Sequence, residues 1–154
     1  MIDAEAVRLA AERFGLESGP HGPTVPPGRL LEFARAVKDE LGCGYLSYIT
    51  AAHYPEEKRG EETLPARFVV VYRVRNLARN TEFPFRCEVS IDVGVPSLAH
   101  VWAGADWQER EAYDLVGPRF EGHPDLRRIM LPEDWVGHPL QRQYAIDTPH
   151  APWR

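Results

Sequence analysis

The chain has 154 residues, a formal net charge of -5, 44% hydrophobic and 27% charged residues. That length points to one domain, and the apolar share supports a packed core rather than a disordered tail. A negative balance speaks against a nucleic-acid surface, which is usually basic, and no apolar run is long enough for a membrane-spanning helix.

The start, Met1-Ile2-Asp3-Ala4-Glu5, is acidic where a secretory signal is basic and then apolar, so the expected location is the cytoplasm. Residues 2–14 read as a short amphipathic helix with Asp3 as N-cap and Gly15 as its stop. Residues 17–24 form a Gly/Pro-rich connector. A second helix is predicted over 27–41, where Leu30, Leu31, Phe33, Ala34, Val37 and Leu41 fall near helical spacing. The cluster Pro20, Pro23, Pro26 and Pro27 marks the linker, and Pro139, Pro149 and Pro152 mark an irregular C-terminal stretch.

After Gly42 and Gly44 the period changes. Residues 45–54, rich in aromatic and β-branched types, read as a strand, and 55–65 as a charged loop. The run Phe68-Val69-Val70-Val71-Tyr72 within 67–74 suits a strand covered on both faces. Residues 82–93 alternate, with Phe83, Phe85, Cys87, Val89 and Ile91 against Glu82, Arg86, Glu88, Ser90 and Asp92. No helix-length crossover separates these strands. The expected fold is therefore α+β: a small, mostly antiparallel sheet with the N-terminal helices packed on it and an extended C-terminal tail. One domain is expected over 1–136, with the tail at 137–154.

Cys43 and Cys87 lie far apart and neither has a second cysteine nearby. A Cys-x-x-Cys redox pair, a zinc knuckle and an iron–sulfur ligand set are thereby removed, and two buried reduced thiols are expected. Gly60, Gly94 and Gly104 stand alone, without the strand–turn–helix context of a nucleotide-binding loop.

The informative segment is Ala105-Asp106-Trp107-Gln108-Glu109-Arg110-Glu111-Ala112-Tyr113-Asp114-Leu115-Val116-Gly117-Pro118. Asp106 and Glu109 have capping-box spacing, and Gly117-Pro118 forbids continuation, so a short helix is predicted. At about 100° per residue, Leu115, Ala112, Val116 and Tyr113 share one side and should dock on the sheet. Arg110, Asp114, Trp107 and Glu111 share the other, and a tryptophan beside an arginine suits a protein interface. Glu111 and Asp114, three apart, also have the spacing of paired acid/base carboxylates, but Arg110 would neutralise them and no nucleophile accompanies them. Beyond the helix, Gly122-His123-Pro124-Asp125 reads as a turn, and 126–131 as a short strand or extended segment ended by Pro132. His123 and His138 have no ligand-motif spacing, so hydrogen-bonded structural histidines are expected rather than a metal site.

Glu109-Arg110-Glu111-x-x-Asp114, then Gly117, Phe120, His123-Pro124-Asp125-Leu126-Arg127-Arg128-Ile129-Met130 and Gly137-His138-Pro139-Leu140, resembles the signature of the 30 kDa subunit family of bacterial complex I, NADH:quinone oxidoreductase. The signature occupies 105–132. Departures occur at Val116, where an aromatic is usual, at Pro118, and at Gln141-Arg142-Gln143 in place of Arg-Lys-Asp.

The resemblance implies a non-catalytic structural subunit of the peripheral arm, on the cytoplasmic face of the cell membrane. It would pack on the large hydrogenase-like subunit of the complex, which helps form the quinone site, and on neighbouring arm subunits. It implies no cofactor or catalytic residue in this chain, with FMN, iron–sulfur clusters and quinone held by partner subunits. Interface residues would be Trp107, Glu109, Arg110, Glu111, Asp114, His123, Pro124, Asp125, Arg127 and Arg128, with Trp153 anchoring the tail on a neighbour. Two alternatives are an equivalent scaffold in a membrane-bound hydrogenase and a small stand-alone enzyme using His123 with Glu111 and Asp114.

Overall fold

The computed structural model describes residues 1–145 and Asp147, the side chain of Arg59 excepted. Helix α1 (Ala4–Phe14) begins where Asp3 Oδ1 accepts the Ala6 N–H at 3.1 Å and ends at Gly15, left-handed at φ 59°. Both ends are those expected from the sequence. A hairpin of β1 (Ser18–Gly19) and β2 (Gly22–Pro23) follows. The predicted 27–41 helix is shorter: a 3-10 turn at Pro27–Arg29 leads into α2 (Leu30–Asp39). Pro27 lacks an N–H and Gly28 is a poor helix former, so the first turn tightens instead of extending the α-helix.

The sheet consists of β3 (Tyr45–Tyr54), β6 (Arg67–Asn76) and β7 (Thr81–Ser90), antiparallel in the order β3-β6-β7. The expected loop 55–65 holds a small hairpin of its own, β4 (Glu57–Arg59) with β5 (Glu62–Leu64). Two further short strands, β8 (Val95–Pro96) and β9 (Phe120–Glu121), pair in parallel and bracket helix α3 (Ala105–Val116).

Alternate residues of the two long strands build the core. Phe68, Val70, Tyr72 and Val74 of β6 and Phe83, Phe85, Cys87 and Val89 of β7 are buried on one face. Phe33 of α2 meets Phe85 edge-on, 5.4 Å between ring centroids, and Phe14 of α1 at 5.2 Å. Tyr72 stacks on Phe85 at 4.8 Å. Each aromatic pair adds about 0.5–1.5 kcal/mol beyond the area it buries. The opposite face is only partly covered: Val69 is buried and Val71 half-buried, but Arg73 and Arg75 bind Glu82 there. Ile91, expected in the buried set, lies beyond the end of β7 and is exposed.

The outer edge of β7 is closed by the chain's own N-terminal segments. Glu82 N–H donates to Met1 O at 3.0 Å, Asp3 N–H to Glu82 O at 3.1 Å, and Val25 N–H to Arg86 O at 2.8 Å. Pro84 falls between these attachments and has no donor to leave unpaired. Among the described residues no helix is long and apolar enough to cross a membrane. Cys43 and Cys87 are both buried and free, as expected.

Candidate partner interface around helix α3

Helix α3 runs over Ala105–Val116 as predicted, but its start and its faces differ from the expectation. Gly104 is the N-cap and supplies no side-chain cap, so the Asp106–Glu109 capping box does not form. Glu109 points inward instead. Its carboxyl accepts from Ser97 Oγ at 2.5 Å and from the Leu98 N–H at 2.7 Å. The buried stripe is Ala105, Glu109, Ala112 and Val116, while Leu115 and Tyr113 are only partly covered.

The face expected to be open is divided. Trp107 is 65% exposed and Glu111 is exposed, whereas Arg110 and Asp114 are buried. Arg110 lies 5.2 Å from the Trp107 ring centroid and donates through Nε to Arg127 O at 3.2 Å. Glu111 and Asp114 therefore do not share an open face of the kind paired acid/base carboxylates need.

Asp114 explains why 126–131 is not a strand. One oxygen, Oδ2, accepts the N–H groups of Ile129, Met130 and Leu131 at 3.0, 2.7 and 2.9 Å. The other, Oδ1, faces Arg128 Nη1 at 2.6 Å. Backbone donors that a sheet neighbour would have taken are gathered by a single carboxylate, which curls the segment around the helix. Burial is the largest influence on this carboxyl and acts to raise its pKa. The bonds from Leu131, Arg128, Met130 and Ile129 together outweigh it and hold the pKa below the ordinary value.

Arg128, expected at the partner interface, is used within the chain. Besides Asp114 it donates through Nη2 to Trp135 O at 3.2 Å and Gly137 O at 3.0 Å. Arg127 and Asp125 remain exposed and pair with each other at 2.9 Å; Pro124 is also exposed. The His123 side chain is fully buried, and its Nδ1 accepts the Asp125 N–H at 3.0 Å. The ring proton is therefore on Nε2, which donates to Asp106 O at 3.0 Å. His138 donates through Nδ1 to Asp114 O at 2.9 Å. Both histidines are hydrogen-bonded within the chain, and no cluster of three or more potential metal-ligating side chains occurs among the described residues.

The stretch after Gly137 has no helix or strand among the described residues, yet its first part turns back on this chain rather than leaving it. Leu140 N–H donates to Leu115 O at 2.9 Å and Gln141 Nε2 to Val116 O at 2.8 Å. With His138 on Asp114 O, these groups serve the terminal carbonyls of α3, which a helix cannot satisfy internally. Trp153 lies outside the described residues. Ser97, Leu98 and Gln141 join the site without a motif to announce them, and His138 joins it as a cap. They contact α3 from elsewhere in the chain, and only the capping demand of a helix ended at Gly117 hints that such partners are needed. Outward, the same elements present Trp107, Met130 (61% exposed), Val136 and Leu140.

Residues 23–150 match the family model described as the respiratory-chain NADH dehydrogenase, 30 Kd subunit. The NADH-quinone oxidoreductase C subunit of Moorella thermoacetica is 39% identical, over 80% of this chain and 79% of that protein. The second C subunit of Rhizobium meliloti is 36% identical over 89% of this chain and 72% of that protein. The C subunit of Citrifermentans bemidjiense is 35% identical, covering 82% and 74%. The similarity runs well upstream of the α3 signature, through the second helix and the sheet, and the chain belongs to the family of the 30 kDa subunit of respiratory-chain NADH dehydrogenase.

Proposed function

We propose that this chain is a structural, non-catalytic subunit of the peripheral arm of an NADH:quinone oxidoreductase, at the cytoplasmic face of the membrane. It packs on the hydrogenase-like subunit and neighbouring arm subunits, which carry FMN, iron–sulfur clusters and the quinone site. One observation carries this reading: the charged signature residues Glu109, Arg110, Asp114 and Arg128 are spent within the chain on bracing loops against α3. What α3 and those loops offer outward is Trp107, Met130, Arg127 and Asp125, a mixture of large apolar groups and charge that suits a partner surface. On this reading Trp107, Glu111, Pro124, Asp125 and Arg127 contact the partner directly. Glu109, Arg110, Asp114, His123 and Arg128 hold the surface in shape, and Trp153 anchors the tail.

The test is to tag the chain, solubilise membranes gently, and stain the captured assembly for NADH oxidation on a native gel. Mass spectrometry then identifies the co-purifying chains. An NADH-active assembly containing the hydrogenase-like subunit is expected. An assembly with a nickel–iron subunit and no NADH activity would transfer the scaffold role to a membrane-bound hydrogenase. A solitary 17.5 kDa species with turnover of its own would overturn the structural role.

A further inference from the structure

Glu109 occupies the sheet-facing side of α3 with its side chain fully buried. Its two hydrogen-bond donors, Ser97 Oγ and the Leu98 N–H, are both neutral. Among the described residues no lysine or arginine pairs with it. The titratable groups facing it come from three directions. His123 Nε2, on the loop after β9, lies 4.0 Å from Oε2; Asp106 lies one turn away on α3; Tyr72 faces it from β6. Asp106 and Tyr72 bring no positive charge. His123 Nδ1 accepts the Asp125 N–H and Nε2 donates to Asp106 O, so the hydrogen bonds of this ring are spent away from Glu109. A buried carboxylate without a counter-charge is costly, and the usual resolution is that it keeps its proton.

Both protonation states fit the same geometry. An ionised Glu109 accepts a hydrogen bond from the Ser97 hydroxyl, and a protonated one donates its own O–H to Ser97 Oγ across the same 2.5 Å. The Leu98 N–H bonds the other oxygen in either state. The carboxyl thus joins the 97–98 segment to α3, with His123 of the loop after β9 lying 4.0 Å away.

We propose that Glu109 is a buried proton-binding site of this domain, and that its ionisation destabilises the fold around α3. Burial, opposed by the Ser97 and Leu98 bonds, pushes this carboxyl up to about 7, which brings its titration into the neutral range. Because the folded value lies above the unfolded one, about 4.3, its stabilising contribution is complete below that pH. The contribution is lost as pH rises through the folded value.

The experiment is an NMR titration of the full chain, following the Glu109 carboxyl carbon and the Leu98 amide, alongside chemical unfolding of the same chain and Glu109→Gln. A carboxyl midpoint near neutrality with the Leu98 amide moving in step is expected. The unfolding constant should rise about tenfold per pH unit between about pH 5 and pH 7, a dependence absent in Glu109→Gln. A midpoint in the ordinary carboxylate range, or an identical pH dependence in the variant, would overturn the proposal. Should Glu109→Gln not fold, the carboxyl titration of the unaltered chain decides.

Discussion

Removing the Asp114 carboxylate deprives three amides of their acceptor and leaves the Arg128 guanidinium without its ion-pair partner. Breaking a buried pair by deleting one member costs about 3–5 kcal/mol, so Asp114→Ala should unfold at markedly lower denaturant concentration. Its pH dependence has a definite sign. The folded pKa is depressed, so the stability it contributes is present above the unfolded value, about 3.9. That stability fades as the pH falls through the lower folded value. In acid, the stability of the unaltered chain should therefore fall more steeply with pH than that of Asp114→Ala. The two thiols give a second prediction. Burial pushes Cys43 to about 11 and Cys87 to about 12, so neither forms thiolate at neutral pH. A thiol reagent should label both only after denaturation; rapid labelling of the native chain would contradict their burial.

At the scale of elements, α3 depends on what closes its C-terminus. Gly117 has φ 107°, and a Cβ there would lie 2.8 Å from Gln141 Nε2 and 2.9 Å from His138 Cδ2. Gly117→Ala should therefore cost about 1–3 kcal/mol through backbone strain, and displace the capping side chains as well. Thermal unfolding and loss of the His138 ring contact with Tyr113, 5.9 Å between centroids, would report the two effects. Elements are legible in the sequence where the signal is local. The Asp3 cap, the Gly15 and Gly117 stops, and the alternation through Phe83, Phe85, Cys87 and Val89 follow from hydrogen bonds or contacts within a few residues. The faces of α3 are not legible in this way, because charge along a helix suggests exposure. Arg110 and Asp114 are buried by a loop that arrives from outside the helix.

For the whole molecule, bracing and docking should separate. Trp107→Ala loses only its ring contact with Arg110 and should cost the free chain no more than about 1 kcal/mol, yet reduce recovery of the assembly. Arg110→Ala removes both a hydrogen bond and the packing on Trp107, and should lower stability and assembly together. Deleting 144–154 should leave the domain folded while weakening assembly, since the groups that cap α3 end at Gln141. Unchanged assembly in a native-gel comparison would exclude the tail as an anchor.

Composition, periodicity and the spacing of the α3 signature are enough for the class of fold, the order of its helices and long strands, and the family. Each is encoded by neighbours along the chain or by an ordered run of residue types. Tertiary packing settled which charged residues face inward, that Asp114 holds Arg128 and three successive amides, and that Glu109 is buried beside His123 with two neutral hydrogen-bond donors. Those outcomes join residues from separate loops, where the free energy of burying a polar group depends on whichever donors the fold brings to it.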